Sequence, residues 1–345
     1  MFSTMRISWN KIIFFSVLGL ALALLSSMGS NAAMASADPL TLTADTILTE
    51  DHAGSIIVGT DGITLDCAGH SITGPGSGTG VLLQNRTGVT VKNCHVSNFD
   101  NGIGVERSPN NTIENNDVSD NHNRGINVND GSHETQLVDN TANRNIHGIF
   151  VSKNSNRNKI VGNTFNENSG SGLMILRSHY NEITDNTASD NGSNGILLFA
   201  FPTRGLGLGS NNNIIRRNTA NGNVRAGIKL WDSNDNIVEA NTANGNGVGD
   251  DDVGSFGNGI GFALSFDSSG NLITENWACG NTNEDGQDIS TGTGNTWENN
   301  HFSDENGTKG SGLDSKKGGG NGRDNAPGLQ KPFNEKSNAS GNVCK

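Results

Sequence analysis

The sequence predicts an all-β parallel solenoid, a coil of short strands, and three observations predict it. A Gly followed by an aliphatic residue recurs every 22 to 24 residues except where loops intrude. An Asn-x-Ile-x-x-Asn signature lies between these marks. A unit of about 23 residues is too short for two helices but fits one coil of three short strands. The marks are Gly80, Gly102, Gly125, Gly148, Gly172, Gly195, Gly227 and Gly259.

Two columns of Asn sharpen this prediction. Each Asn of the first column is followed five residues later by an Asn of the second. An Asn at the same turn of successive coils can hydrogen-bond to the Asn above and below it, which predicts buried Asn ladders. The first column is Asn116, Asn140, Asn163, Asn186, Asn218, Asn241 and Asn276, and the second is Asn121, Asn145, Asn168, Asn191, Asn223, Asn246 and Asn281.

Two aliphatic columns predict the core of about ten coils. Short strands that turn their apolar side inward fill a narrow core, although only 32% of the residues are hydrophobic. The periodicity argues against disorder, which the Gly and Asn content alone would suggest. The columns are Ile103, Ile126, Ile149, Leu173, Ile196, Ile228 and Ile260 on one wall, and Ile113, Leu137, Ile160, Ile183, Ile215, Val238 and Ile273 on another.

The chain divides into three predicted parts. Residues 1–37 have the basic start, short apolar run and small-residue end of an export signal, cut before Asp38 or, as the alternative, after Ala35. Residues 38–305 are the solenoid with an N-terminal cap, and 306–345 are a Gly-rich tail. We therefore expect a monomer that is secreted, periplasmic or at the cell surface, with no transmembrane segment in the mature chain.

Four cysteines in an exported protein indicate two disulfides. Cys67 and Cys94 lie about one coil apart, so a bridge between adjacent coils is reasonable, and Cys279 with Cys344 would then fix the tail to the last coils. Free buried thiols are the alternative.

Charge is unevenly distributed along the chain, whose net charge is −12. Residues 144–229 hold ten Lys or Arg and four acids, whereas 230–305 hold fourteen acids and no Lys or Arg. Sequence order is spatial order in a solenoid, so a basic section adjoins an acidic one. This favours a polyanion such as a uronate polysaccharide as partner rather than nucleic acid, and charge for solubility alone is the alternative.

The outward positions of the Gly-Ile strand predict an apolar strip on the middle coils. Such a strip either binds a partner or is covered by another part of the chain, for which 201–209, 247–257 and the tail are candidates. Aromatic rings in the strip would stack on sugar rings. The strip is Phe150, Met174, Leu176, Leu197, Phe199 and Trp231, and Lys229 lies within it.

A charged column follows the strip and supplies candidate catalytic residues. Lys153 and Arg177 would lie one coil apart, where like charge favours the neutral, basic form of the lysine, and His179 and Tyr180 lie just beyond. An ordinary surface ion pair between Lys153 and Asp130 is the alternative.

Asp250, Asp251 and Asp252 form an oxygen-rich loop that would suit Ca²⁺, the one cofactor the sequence suggests. A solvated acidic loop is the alternative.

The segment Ile63–Gly74 resembles the first coil of the right-handed parallel β-helix repeat family, and the Asn-x-Ile-x-x-Asn units resemble its later coils. That family includes pectate-lyase-like proteins, alginate C5-epimerases and a periplasmic copper-processing β-helix protein. The resemblance covers about 62–302 and implies an exported protein, often one that acts on carbohydrate. The Asp-Pro-His-Glu motif of the epimerases is absent from the sequence, so no catalytic residue carries over.

Three functions follow as hypotheses. The first is a lyase or epimerase on an acidic glycan, with Lys153 as base, Arg177 neutralising the carboxylate, and His179 or Tyr180 as acid. A hydrolase variant would use Asp232 with Asp267. The second is a non-catalytic glycan-binding or cell-surface module, whose contacts would be Phe150, Leu176, Phe199, Lys229 and Trp231. The third is a periplasmic maturation protein.

Overall fold

A computed structural model describes residues 39–200, 209–247 and 259–303, and these residues form a parallel β-solenoid. No helix occurs among them. Each coil adds one strand to each of two eleven-stranded parallel sheets, A and B, and a third strand or single bridged residue to sheet C. The predicted fold, of about ten coils, is confirmed.

Sheet A carries the longest strands and has its outer face at the candidate site. From the N-terminal end, its strands are β1 (Leu40–Leu42), β4 (Ile56–Val58), β7 (Thr79–Gln84), β10 (Asn101–Glu106), β12 (Arg124–Asn129), β14 (His147–Ser152), β16 (Leu173–Leu176), β18 (Ile196–Phe199), β20 (Ala226–Trp231), β22 (Ile260–Ser265) and β25 (Glu284–Asp288).

Sheet B contains the strand inside each Asn-x-Ile-x-x-Asn signature, and the predicted aliphatic column from Ile113 to Ile273 runs in register along it. Its strands are β2 (Thr46–Ile47), β5 (Thr64–Asp66), β8 (Thr90–Lys92), β11 (Thr112–Glu114), β13 (Gln136–Val138), β15 (Lys159–Val161), β17 (Glu182–Thr184), β19 (Ile214–Arg216), β21 (Ile237–Glu239), β23 (Leu272–Thr274) and β26 (Thr296–Glu298).

Sheet C is regular only at its ends. Each coil between the two ends contributes a single residue that forms an isolated β-bridge with the next coil, from Asp117 to Thr242. Its strands are β3 (His52–Ala53), β6 (Ser71–Thr73) and β9 (His95–Ser97) at one end, and β24 (Trp277–Cys279) and β27 (His301–Ser303) at the other.

Buried Asn ladders join the coils, as predicted. Along the first column, from Asn116 to Asn300, each side-chain amide donates to the Oδ1 of the next Asn over 2.9 to 3.0 Å. The second column repeats this bond from Asn168 to Asn281. A third ladder, not singled out from the sequence, runs from Asn158 to Asn295. Polar groups inside the narrow core are thereby satisfied by the next coil.

Close approach of the backbone explains the repeated Gly at the start of each sheet A strand. A Cβ on Gly125 would lie 2.7 Å from the carbonyl oxygen of Gly148, and a Cβ on Gly261 would lie 2.6 Å from that of Asp285. Any larger residue there would push the coils apart. Gly259, which the periodicity marked as this position, has a φ of +66° and precedes the strand.

The register of the last coils therefore differs from the one expected by two residues. Ile228 pairs with Phe262, and Trp231 pairs with Ser265, so Phe262 rather than Ile260 continues the core column. The sequence did not reveal this shift. An insertion precedes β22, and the Gly-Ile pair at Gly259 that follows it has the pattern that marks the other sheet A strands.

Cys67 and Cys94 form the predicted disulfide between two adjacent coils, with their Cα atoms 4.8 Å apart. Cys279 is buried. Cys344 lies outside the described residues, as do the signal segment 1–37 and the tail 306–345, so the second bridge and these two boundaries stay predictions.

Candidate functional site

The outer face of sheet A brings the predicted apolar strip together. Phe150, Met174, Leu197 and Lys229 follow one another in register across β14, β16, β18 and β20. Leu176 and Phe199 are paired one column further along the strands. Because successive coils stack at about 4.8 Å, these side chains form a continuous surface rather than isolated contacts.

Three aromatic rings form a cluster at the C-terminal end of the strip. The Phe199 and Trp231 centroids are 5.3 Å apart in an edge-to-face arrangement, and Phe266 stacks on Trp231 at 4.4 Å with 8° between the ring planes. We call Phe199, Trp231 and Phe266 the aromatic cluster. Phe266 was missed in the sequence because it lies in the turn after β22, in the column of Asp232 rather than in the strip.

Lys229 lies against this cluster. Its Nζ is 4.9 Å from the centre of the Trp231 ring, within cation–π range, and the residue is only 4% exposed. Burial, with a smaller contribution from the charge of Arg225, lowers the pKa of Lys229 to about 8. A lysine in this setting is a usable base near neutral pH.

The sheet beside Lys229 also carries buried apolar residues. Ala226, Ile260 and Ala263 form a small apolar cluster apart from the main core, and each is at most 1% exposed. Trp231 and Phe266 are half-buried. The insertions and tail that were candidate covers for the strip lie mostly outside the described residues.

Lys153 and Arg177 lie on adjacent coils, as expected, at the ends of sheet A strands. Both adopt left-handed backbone conformations, with φ of +54° and +48°. The Lys153 Nζ is 3.1 Å from Oδ1 of Asp130, and 64% of the Lys153 side chain is exposed. This contact is the surface ion pair that was the alternative to a catalytic role.

His179 is part of a hydrogen-bonded column between coils. Its Nδ1 accepts the backbone N–H of Asn211 at 3.1 Å, and burial lowers the pKa of His179. Nε2 therefore carries the proton of the neutral ring and is the atom available to a ligand. Tyr180 is exposed, with the guanidinium carbon of Arg157 5.6 Å from its ring centre.

Two carboxylates lie at the turn after the aromatic cluster. Burial, and then the neighbouring charge of Asp267, raise the pKa of Asp232. The Thr291 hydroxyl donates a hydrogen bond to Asp267. This is the pair that a hydrolase would use, and its two members follow paired strands on adjacent coils.

Much of the basic section is neutralised by acids on adjoining coils. Arg144 forms two hydrogen bonds with Asp120, both 2.8 Å long. Arg217 forms a similar pair with Asp185, and the Arg216 guanidinium lies 2.6 Å from Glu239. The positive surplus available to a ligand is thus smaller than the residue count suggested.

The structure provides no evidence for a metal site in the part of the chain that it describes. Among residues 39–200, 209–247 and 259–303, no group of three or more His, Cys, Asp or Glu is arranged to hold a metal ion. The acidic loop Asp250, Asp251 and Asp252 lies outside these ranges. Calcium binding there stays a prediction.

Two family models match the chain. Residues 40–206 match "Periplasmic copper-binding protein (NosD)", and residues 153–260 match "Right handed beta helix region". The described histidines, cysteines and acids do not provide the clustered ligands that a copper site needs. No curated protein sequence is significantly similar to the chain.

Solved structures with the same fold share little sequence with it. The A-module of the mannuronan C-5 epimerase AlgE4 of Azotobacter vinelandii is 16% identical, with a TM-score of 0.51 over 76% of this chain and 73% of that one. The enzymatically active domain of tailspike protein 2 of bacteriophage CBA120 is 12% identical, with a TM-score of 0.59 over 74% of this chain and 43% of that one. The Dettilon tailspike protein is 15% identical, with a TM-score of 0.55 over 79% and 56%.

No helix with the length and hydropathy of a membrane span occurs in the part of the chain that the structure describes. The stacked parallel sheets, the Asn ladders and both family matches agree with one another. Over residues 40–260, which the two models match between them, the chain belongs to the right-handed parallel β-helix repeat family.

Proposed function

We propose that the protein binds an acidic polysaccharide along the outer face of sheet A, centred on the aromatic cluster. One observation carries this proposal: the stacked Trp231 and Phe266 rings lie beside the Lys229 amine, 4.9 Å from the Trp231 ring. Flat aromatic faces stack on sugar rings, and a neighbouring cation attracts their carboxylates.

Two further observations support an extended ligand. The strip runs over β14, β16, β18 and β20, about 14 Å at the usual coil spacing, and so offers several adjacent contacts. Proteins with this fold include a mannuronan C-5 epimerase and phage tailspikes, one of them an enzymatically active domain. An exported β-helix protein would meet such glycans in the periplasm or outside the cell.

The test is a comparison of two Trp→Ala variants. Trp231→Ala should weaken binding to uronate polymers at least about tenfold, because stacking and the cation–π contact are both lost. Trp277→Ala is the matched control, since Trp277 packs on His301 in sheet C, away from the strip. Calorimetric titration with a panel of uronate polymers measures both. Equal effects of the two substitutions, or no binding by the wild type, would refute the proposal.

A lyase or epimerase activity is the second candidate, and the setting of Lys229 favours it. Lys229 would remove the proton at C5 of a uronate as the C4–O bond breaks and the C4–C5 double bond forms. The leaving oxygen would receive a proton from an acid such as His179 or Tyr180. Lys153 was the base expected from the sequence, but its amine is ion-paired with Asp130 and mostly exposed.

The absorbance of the unsaturated product shows which of the two lysines acts as the base. Lys229→Met should abolish product formation at neutral pH, whereas Lys153→Met should leave most of it, and the opposite result would assign the base to Lys153. If the wild type binds a uronate polymer and yields neither unsaturated nor epimerised product, the protein is a binding module.

A further inference from the structure

Arg124 lies on the outer face of sheet A, and within the described part of the chain its charge has no carboxylate partner. Five other arginines form ion pairs with acids on nearby coils, namely Arg86, Arg107, Arg144, Arg216 and Arg217. Among the described residues, no acid forms such a pair with Arg124, and its Nε is buried without a hydrogen-bond partner. Burial lowers its pKa. A half-buried cation without a partner is costly, which suggests that a ligand supplies the missing anion.

The surroundings of Arg124 hold the guanidinium in place. Its Cζ lies 4.4 Å from the centre of the Phe150 ring, so the aromatic face supports the planar group. His147 occupies the position next to Arg124 on the following coil. The His147 Nδ1 accepts the backbone N–H of Ser171 at 3.1 Å, which leaves the proton of the neutral ring on Nε2 as a donor.

Unpartnered acceptors lie beside these donors. Asn127, on the same strand as Arg124, is 6% exposed, and its Oδ1 is buried without a hydrogen-bond partner. Asn101 pairs with Arg124 from the preceding coil, and its Oδ1 is likewise buried without a hydrogen-bond partner. Buried polar atoms of native proteins are normally paired, so acceptors grouped around an unpaired cation indicate a polar ligand.

We propose that Arg124, His147 and Asn127 form a carboxylate subsite for one acidic sugar ring of the bound glycan. The fork of Arg124 would bind the carboxylate through two parallel hydrogen bonds, and the Oδ1 of Asn127 would accept from a sugar hydroxyl. The inference rests on the proposed function and deepens it. Arg124 lies four coils before Trp231, about 19 Å away along the sheet, so one oligosaccharide could contact both.

The subsite predicts a preference for the acid over its neutral ester. Arg124→Gln should weaken binding of an oligogalacturonate at least about tenfold and leave binding of its methyl ester unchanged, because charge-assisted bidentate bonds are lost only with the acid. Arg124→Lys should be intermediate. Arg144→Gln is the control, since Arg144 is already paired with Asp120. Equal weakening for acid and ester, or no weakening for the acid, would overturn the assignment.

A second measurement is independent of polymer binding. The Nε–Hε resonance of Arg124, assigned by its loss in Arg124→Gln, should shift on titration with glucuronate and not with glucose. The shift should persist in Trp231→Ala, which separates failure of this subsite from failure of the aromatic cluster. A folded protein whose Arg124 resonance does not respond to glucuronate would refute the proposal.

Discussion

Asn163 shows how a single residue links three coils. Its side-chain amide donates to Oδ1 of Asn186 at 3.0 Å and to the carbonyl oxygen of Leu137 at 2.8 Å. Its own Oδ1 accepts both the backbone and the side-chain N–H of Asn140. The residue is 1% exposed, so water cannot replace these bonds.

Asn163→Leu should therefore be strongly destabilising. The substitution leaves two donors of Asn140 and the acceptor of Leu137 buried without partners, which we expect to cost more than about 3 kcal/mol of the free energy of unfolding. Denaturant unfolding measures the change. Thr164→Val is the control, because Thr164 is the next residue and is only half-buried. A midpoint equal to that of the wild type in Asn163→Leu would contradict the ladder energetics.

Within one coil, the distance of a residue from the repeated Gly of its sheet A strand determines whether it lies in the strand or in the turn that follows. The residue that follows several sheet A strands adopts the left-handed conformation, as in Asp130, Lys153 and Asp232, with φ of +55°, +54° and +49°. Residues inside the strand, such as Phe150 and Lys229, instead lie on the face itself.

Ion pairs between strands add little to this architecture. Arg144 and Asp120 are about half-exposed, and such pairs typically contribute less than about 1 kcal/mol. Their effect near the candidate site is electrostatic, because each acid neutralises the positive charge of its arginine. Arg124 and Lys229 differ from these paired residues because each contacts an aromatic ring.

Considered over the full solenoid, half-buried histidines that hydrogen-bond between coils should make stability depend on pH. Nδ1 of His147 and Nδ1 of His179 each accept a backbone N–H from the next coil, and burial lowers the pKa of both below the usual 6.5. The unfolded chain therefore binds more protons below that value. Their contribution to stability is complete above about pH 6.5 and is lost as the pH falls through the lower folded values.

The melting temperature should accordingly decrease between pH 7.5 and pH 5.5, and His179→Asn should reduce that decrease. Asn is the matched replacement because Asn156 and Asn211 hold the same column on either side, where their Oδ1 atoms accept the next backbone N–H. Stability at pH 7.5 should change little. A variant with the same pH dependence as the wild type would show that protonation of His179 does not weaken the coil.

The coil could be predicted from the spacing of residues alone, because a solenoid repeats one local environment and each coil therefore shows the same pattern. The Gly positions, the aliphatic columns, the Asn ladders and the bridge between Cys67 and Cys94 could all be derived from spacing. The outer strip from Phe150 to Trp231 followed from the same periodicity. The expected register of β22 was wrong because an insertion interrupts the period.

The partners of individual side chains could be known only from the folded coils. The pairing of Lys153 with Asp130, and the lack of an acidic partner for Arg124 among the described residues, depend on side-chain directions across coils. The stacking of Phe266 on Trp231 depends on the corrected register. Both of these contacts join residues more than 20 positions apart, so they are set by the three-dimensional packing of the coils rather than by any local pattern.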